Sequence, residues 1–295
     1  MKSKALVLLL CIVAAWPQIT NAQDYVGGRF TIKTYTHRDH TYTLYDFSRE
    51  SNVIKAKYFA QNAYSQYINW KASKQILLVT AGAFSDSFTV NAKPVGLCVD
   101  NGVSVNKTPN QEMDGMVIIY NGGAQEGGVA VVDMDVNPVK VQEPIGSTTT
   151  VAYYPRSSSL DKVNFIKWGE RNGVTLFQTQ LVYSSDRYIN FGNLNYGNKR
   201  ERRFLATCKK GGIVHHIVVD APDELELNLS ASYVKEVLDY AGFNVLYIMN
   251  LDTGCKNILH VFNGRGLQNL NPSSTACRSD AQIERATNLL IYYKD

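Results

Sequence analysis

Arg203-Phe204-Leu205-Ala206-Thr207-Cys208, then Ile213-Val214-His215-His216-Ile217-Val218-Val219-Asp220, then Ser230 to Ala241, then Asn244-Val245-Leu246-Tyr247-Ile248-Met249-Asn250-Leu251 decide how this chain is built. The first two are short apolar runs and read as strands. Between Ser230 and Ala241 the apolar positions Tyr233, Val234, Val237, Leu238 and Ala241 recur at three and four residues, so the spacing predicts a helix opening at Ser230. Asn244–Leu251 is again short and continuously apolar, as a buried strand would be. Strand, strand, helix, strand is the local grammar.

The same grammar extends in both directions. Downstream, Ile258–Phe262 and Asn288–Tyr293 read as strands; upstream, so do Val163–Trp168 and Val174–Tyr183. Arg29–Thr36 and Thr41–Phe47 are Thr- and Tyr-rich strands joined by a turn at His37–His40. Ser51 can cap a helix carrying Val53, Ala56, Ala60, Ala63 and Tyr67 on one face. Ile76–Ala81, Val95–Val99, Met116–Tyr120 and Val129–Met134 add strands separated by Gly- and Asn-rich turns. Asn137–Gly146 carries two prolines and reads as a connector. Many strands with few helices predict an α+β fold, built on a large mixed or mostly antiparallel sheet with two or three helices. One domain over residues 23–295 is the better count.

Composition agrees with a packed domain. The 295 residues are 45% hydrophobic and 19% charged, enough apolar side chain for a sizeable core and too much for a disordered chain. A net charge of +4 is too mild to mark a nucleic-acid binder. Lys2 and Lys4 precede the apolar run Ala5–Trp16, followed by Pro17 and Thr20-Asn21-Ala22, the parts of a secretory signal peptide cut after Ala22. The run is too short to span a bilayer, and no later run approaches that length. Residues 1–22 are therefore read as an address and the remainder as an exported chain. Removing Cys11 leaves Cys98, Cys208, Cys255 and Cys277, which permit disulfides in three connectivities. Cys255 with Cys277 is the favoured pair, and buried free thiols are the alternative.

Most catalytic signatures are missing. There is no G-x-S-x-G elbow, no P-loop and no H-E-x-x-H. His37 and His40 flank Arg38 and Asp39 on a turn, but no third metal ligand is evident. Neighbours His215 and His216 on one strand point to opposite faces and cannot share a ligand. The glycine-rich stretch Asn121–Gly128 reads as a hairpin loop rather than a phosphate cradle, since nothing helical follows it. No metal or cofactor is implied. The basic run Lys199-Arg200-Glu201-Arg202-Arg203 reads as a charged strand edge with one arginine turned inward. The 18 tyrosines suit strand faces covering a sheet, with stacking on sugar rings as their other use.

Three places remain. Thr80-Ala81-Gly82-Ala83-Phe84 ends a buried strand in small residues that allow close backbone approach. Asn250-Leu251-Asp252-Thr253-Gly254 ends another in polar residues, with Asp252 placed either as an active-site carboxylate or as a turn cap. Glu284-Arg285 with Asn288 precedes the last strand, where a self-paired surface ion pair is the competing reading.

Here the chain resembles a known family. Val79-Thr80-Ala81-Gly82-Ala83-Phe84, Pro94-Val95-Gly96-Leu97, Arg203-Phe204-Leu205-Ala206-Thr207, Asn250-Leu251-Asp252-Thr253-Gly254 and Glu284-Arg285-Ala286-Thr287-Asn288 resemble, in order, motifs of the phosphodiester glycosidase domain family. Thr80 stands where that family usually has asparagine, and Thr253 where it has glycine. Thr80 offers one polar group in place of two, and β-branched Thr253 resists left-handed backbone. The resemblance implies an exported hydrolase that cleaves the glycosidic bond of a sugar-1-phosphodiester or related glycan, with no cofactor. It implies Asp252 and Glu284 as carboxylates near the anomeric carbon and Arg203 as a phosphate clamp. Thr80, Gly82, Gly254, Arg285 and Asn288 would orient sugar or phosphate. The altered positions leave a second expectation, a glycan- or envelope-binding module that kept the fold without turnover.

Overall fold

The computed structural model describes residues 16–87, 89, 92–136, 139–142, 150–153, 159–194, 197–253, 257–271 and 283–295. In chain order its strands are β1 (Gln18–Tyr25), β2 (Phe30–His37), β3 (His40–Ser48), β4 (Ile54–Phe59), β5 (Gln75–Thr80), β6 (Cys98–Asp100), β7 (Val103–Asn106), β8 (Gly115–Ile119) and β9 (Val129–Asp133). They continue as β10 (Val139–Gln142), β11 (Thr150–Tyr153), β12 (Thr175–Ser184), β13 (Arg200–Lys210), β14 (Ile213–Leu225), β15 (Asn244–Leu251), β16 (Leu259–Phe262), β17 (Leu267–Asn269) and β18 (Leu289–Lys294). Among the described residues three α-helices join them: α1 (Ala63–Trp70), α2 (Ser159–Arg171) and α3 (Leu227–Tyr240). The fold is α+β.

An 11-stranded sheet runs β1-β2-β3-β14-β13-β15-β12-β6-β7, with β8 and β9 attached beside β12. A 5-stranded sheet runs β17-β16-β5-β18-β4, and β10 pairs β11 separately. Every described pairing is antiparallel, from β1–β2 to β8–β9. The small sheet lies on one face of the large one. Phe47 of β3 stacks on Tyr292 of β18 at 4.1 Å between ring centroids, and Tyr58 of β4 stacks on Phe177 of β12 at 4.4 Å. Such pairs add roughly 0.5–1.5 kcal/mol each beyond the burial of their area. On the other face of the large sheet α3 buries Leu227, Ala231, Val234, Val237 and Leu238 against Phe204, Ile217, Val219 and Ile248. Helix α1 packs Ala63 and Tyr67 against Val79, Leu289 and Ile291 on the outer face of the small sheet. His215 and His216 obey the alternation: His215 meets Asp46 at 2.7 Å beside Phe243, whereas His216 lies near Tyr292, between the sheets.

Two elements differ in type from expectation, and the stretch Asn137–Gly146, expected as a connector, carries β10. The helix predicted from Ser51 begins only at Ala63, because Ile54, Ala56 and Tyr58 are buried while Lys55 and Lys57 are half-buried. That is a period of two, and it makes β4. Val163–Trp168, expected as a strand, lies inside α2. Phe165 and Trp168, three residues apart, share a buried face, and Gly173, at φ +62°, lies just beyond the helix. Helix α3 starts three residues before Ser230, which is buried inside it.

Cleavage after Ala22 would fall within β1, whose residues Gln18 to Asp24 are exposed along the edge of β2. No helix among the described residues is long and apolar enough to cross a membrane. Cys98 and Cys208 are buried free thiols, both pushed up in pKa by burial. Cys255 and Cys277 lie outside the described residues.

Candidate active site

The site forms where strand ends from both sheets meet. In the small sheet Thr80 pairs with Leu259 and Leu290, and this puts its side chain on the inner face. In the large sheet Arg203 lies between Asp220 on β14 and Leu251 on β15. Its guanidinium crosses to the small sheet. Nη1 donates to Thr80 Oγ1 at 3.3 Å and to the Ile258 carbonyl at 3.0 Å. Nη2 donates to Asp220 Oδ1 at 2.9 Å and to Asn257 Oδ1 at 2.8 Å. Arg203 is fully buried, so these contacts replace its hydration.

Asn288 organises the turn after β5. Its Oδ1 accepts from the backbone N–H groups of Gly82 and Ala83, each at 2.9 Å, and its Nδ2 donates to the Ala83 carbonyl at 2.8 Å. Gly82 is required by space. A Cβ there would come within 2.8 Å of the Tyr58 ring and 3.3 Å of Asn288 Oδ1. The Gly82 carbonyl in turn accepts from the Asp252 N–H at 3.0 Å. Asp252, nearly buried at 9% exposure, thus stands at the end of β15 beside Tyr58, whose hydroxyl burial holds far from ionisation. Thr80 and Arg203 form one hydrogen-bonded group, and Gly82, Asp252 and Asn288 another; the two adjoin at the end of β5, where Thr80 and Gly82 are neighbours but one.

Glu284 and Arg285 do not join it. Both are exposed on the short turn Ile283–Arg285. The charge of Glu284 acts on His260, which pairs with Val79 on the outer face of the small sheet. The expectation of two acids, Asp252 and Glu284, facing one gap is therefore not met. The turn holds Glu284 outside, and the buried polar side chains of that motif are Thr287 and Asn288. Gly254 lies outside the described residues. Arg203 is placed as expected for an inward arginine, although Arg202 is buried as well, donating to the Asn198 carbonyl. As a phosphate clamp through its terminal nitrogens, Arg203 would first have to release Asp220, Asn257, Thr80 or the Ile258 carbonyl; its Nε is buried and has no partner among the described residues.

The structure adds three residues that the motifs did not single out. Asp220 closes the apolar run of β14, the same signal that drew attention to Asp252 on β15. Glu201 sits two residues before Arg203, at a register shift between β13 and β14. Asn257 links them, its Nδ2 donating to Glu201 Oε2 at 2.6 Å while its Oδ1 receives Arg203. Thr253 Oγ1 donates to the Glu201 carbonyl at 2.9 Å, a role that the family's glycine could not fill. Partial burial, and then the Asp220 charge, push the Glu201 carboxyl above the usual range against the pull of Arg203.

Elsewhere the polar motifs have structural partners. His37 Nε2 lies 2.5 Å from Glu236 on α3, and His40 stacks on Tyr233. Among the described residues no group of three ligating side chains could hold a metal. Asn121–Gly128 is the β8–β9 hairpin loop. A cavity of about 310 Å³ beside Trp168, Asn121 and Asn172 contains none of the residues of the Arg203 centre.

No family model matches the chain, and no curated protein matches it in sequence. Among solved structures it is similar to a hypothetical protein from Synechocystis, with a TM-score of 0.50 and 10% identity over 93% of this chain and 64% of that one. It is also similar to the zebrafish N-acetylglucosamine-1-phosphodiester α-N-acetylglucosaminidase catalytic domain auto-inhibited by its pro-peptide. That match has a TM-score of 0.48 and 13% identity over 95% of this chain and 82% of that one. The likeness is one of fold. The activity has to be argued from the site itself.

Proposed function

We propose that the protein is an exported glycosidase-type hydrolase acting on a sugar-1-phosphodiester or related glycan. The observation that carries this reading is the meeting of Thr80, Gly82, Arg203, Asp252 and Asn288, from four distant segments, in two adjoining hydrogen-bonded groups between two packed sheets. The family-like motifs run through the same residues. Glycoside cleavage passes through an oxocarbenium-like state, which a nearby carboxylate stabilises. Asp252 is that carboxylate. Its backbone is tied to Gly82, and Gly82 to Asn288, so its position is set before any ligand arrives. Arg203 acts by holding Asp220 and Asn257 in place. The Lys-flanked apolar run and Thr20-Asn21-Ala22 support export.

Asp252→Asn keeps the shape and removes the charge. It is expected to cut sugar release by at least about 100-fold, with an unchanged melting temperature. Full activity in this variant removes Asp252 from the reaction. A second reading, a glycan-binding module without turnover, draws on the occupation of both terminal nitrogens of Arg203 by its own protein. Binding of a sugar or sugar phosphate by the wild type, with no release across a broad panel, would select it.

A further inference from the structure

The charge balance of the Arg203 centre bears on what leaves when the bond breaks. A departing phosphodiester carries its own negative charge and needs uncommitted cationic donors. Both terminal nitrogens of Arg203 already serve two acceptors each, and the side chain is fully buried. Asp220 and Glu224 oppose the ionisation of Glu201 and Arg203 favours it, while Arg200 and Arg202 flank it along β13. An anion entering beside Glu201 meets the Asp220 and Glu224 charges.

An alcohol has the opposite need. It is a poor leaving group until its oxygen gains a proton, so it calls for an acid that stays protonated near neutral pH. Partial burial, and then the Asp220 charge, shift Glu201 in that direction. It is accessible to solvent, and Asn257 Nδ2 donates to its Oε2 at 2.6 Å. Its backbone is tied by Thr253 to the segment that carries Asp252. We infer that this centre cleaves glycosides whose leaving group is a neutral alcohol, with the Glu201 carboxyl giving that oxygen its proton. The inference rests on the hydrolase reading above and narrows its substrate class.

In the step, the bond between the anomeric carbon and the glycosidic oxygen breaks. Its electron pair stays on the departing oxygen, which takes the Glu201 proton and leaves as an alcohol. Water then adds to the anomeric carbon and returns a proton to the carboxylate left behind. The raised Glu201 pKa, caused by partial burial and the Asp220 charge, keeps more of the acid form available as pH rises.

The test uses methyl, 4-nitrophenyl and 1-(methyl phosphate) glycosides of the same pyranoses, with N-acetylglucosamine, mannose and glucose as the sugars. Wild type is expected to favour the methyl glycoside over the phosphodiester. Glu201→Gln should lose about 100-fold or more on the methyl glycoside but less than about 10-fold on 4-nitrophenyl, whose leaving group departs without a proton. The basic limb of the pH profile should vanish with it, and Glu201→Asp, which keeps a proton to give, should recover part of the loss. Equal losses on both glycosides, or a wild-type preference for the phosphodiester, would overturn the inference while leaving the hydrolase reading standing. No sugar release by wild type from any of these probes would overturn both.

Discussion

Two arginines anchor carboxylates in this molecule, and they do so in opposite surroundings. Arg203 is fully buried between the sheets, with one acid, two neutral side chains and a backbone carbonyl as partners. Arg187, in the segment after β12, is about one-third exposed and meets three acids: Asp114 at 3.0 Å, Asp133 at 3.0 Å and Asp135 at 2.9 Å. Water can solvate what Arg187 leaves unpaired. Nothing but the protein can do so for Arg203. The buried arginine takes one acid from the large sheet and neutral acceptors from the small sheet and the segment leading into it, and so fixes their relative position, whereas the surface arginine fastens the β8–β9 pair to the segment after β12.

The largest expected effect breaks the comparison directly. Arg203→Met leaves Asp220, Thr80 and Asn257 without their cation and should cost about 3–5 kcal/mol in urea unfolding. Arg187→Met should cost less, about 2 kcal/mol, because the guanidinium is one-third exposed although the Asp133 and Asp135 side chains it meets are buried. Equal losses would mean that burial does not separate the two centres. Asn288→Ala sharpens the buried side. It strands the Gly82 and Ala83 N–H groups and should cost about 2–3 kcal/mol. A loss under about 0.5 kcal/mol would show that the turn after β5 holds itself.

The smallest effect concerns the surface side. Desolvation, then the Asp135 charge, raise the Asp114 pKa despite Arg187. A carboxyl whose folded pKa is raised adds stability below its ordinary range and loses it as pH climbs through the folded value. Asp114→Asn should therefore flatten that part of the fall in stability between mildly acidic and neutral pH. An unchanged slope in urea melts across that interval would remove Asp114 from the account.

Much of this was legible beforehand. Short apolar runs ending in polar residues located Thr80, Asp252 and the strand of Arg203, because a buried strand has to surface somewhere and its end is where chemistry can sit. The two misread elements share a cause: apolar residues at β4 and α2 satisfy both periods over short windows, and only packing chooses between them. Ala56 fits a helix with Val53 and Ala60, but it fits β4 better with Ile54 and Tyr58. Glu284 looked equivalent to Asp252 by motif, yet three residues separate an outward acid from the inward Asn288. Glu201 was hidden in a basic run whose other members read as solvated edge. Asp220 carried the same signal as Asp252 and could have been found by it.

By itself the sequence determined the α+β class, the sequence of most strands and the inward turn of an arginine in the basic run, because alternation and apolar run length are local properties that each segment carries alone. Only the tertiary structure decided which acids stand near that arginine and that both of its terminal nitrogens are already taken. Those facts depend on pairing across 17 to 123 residues, and contacts between buried polar groups leave no periodic trace in the chain.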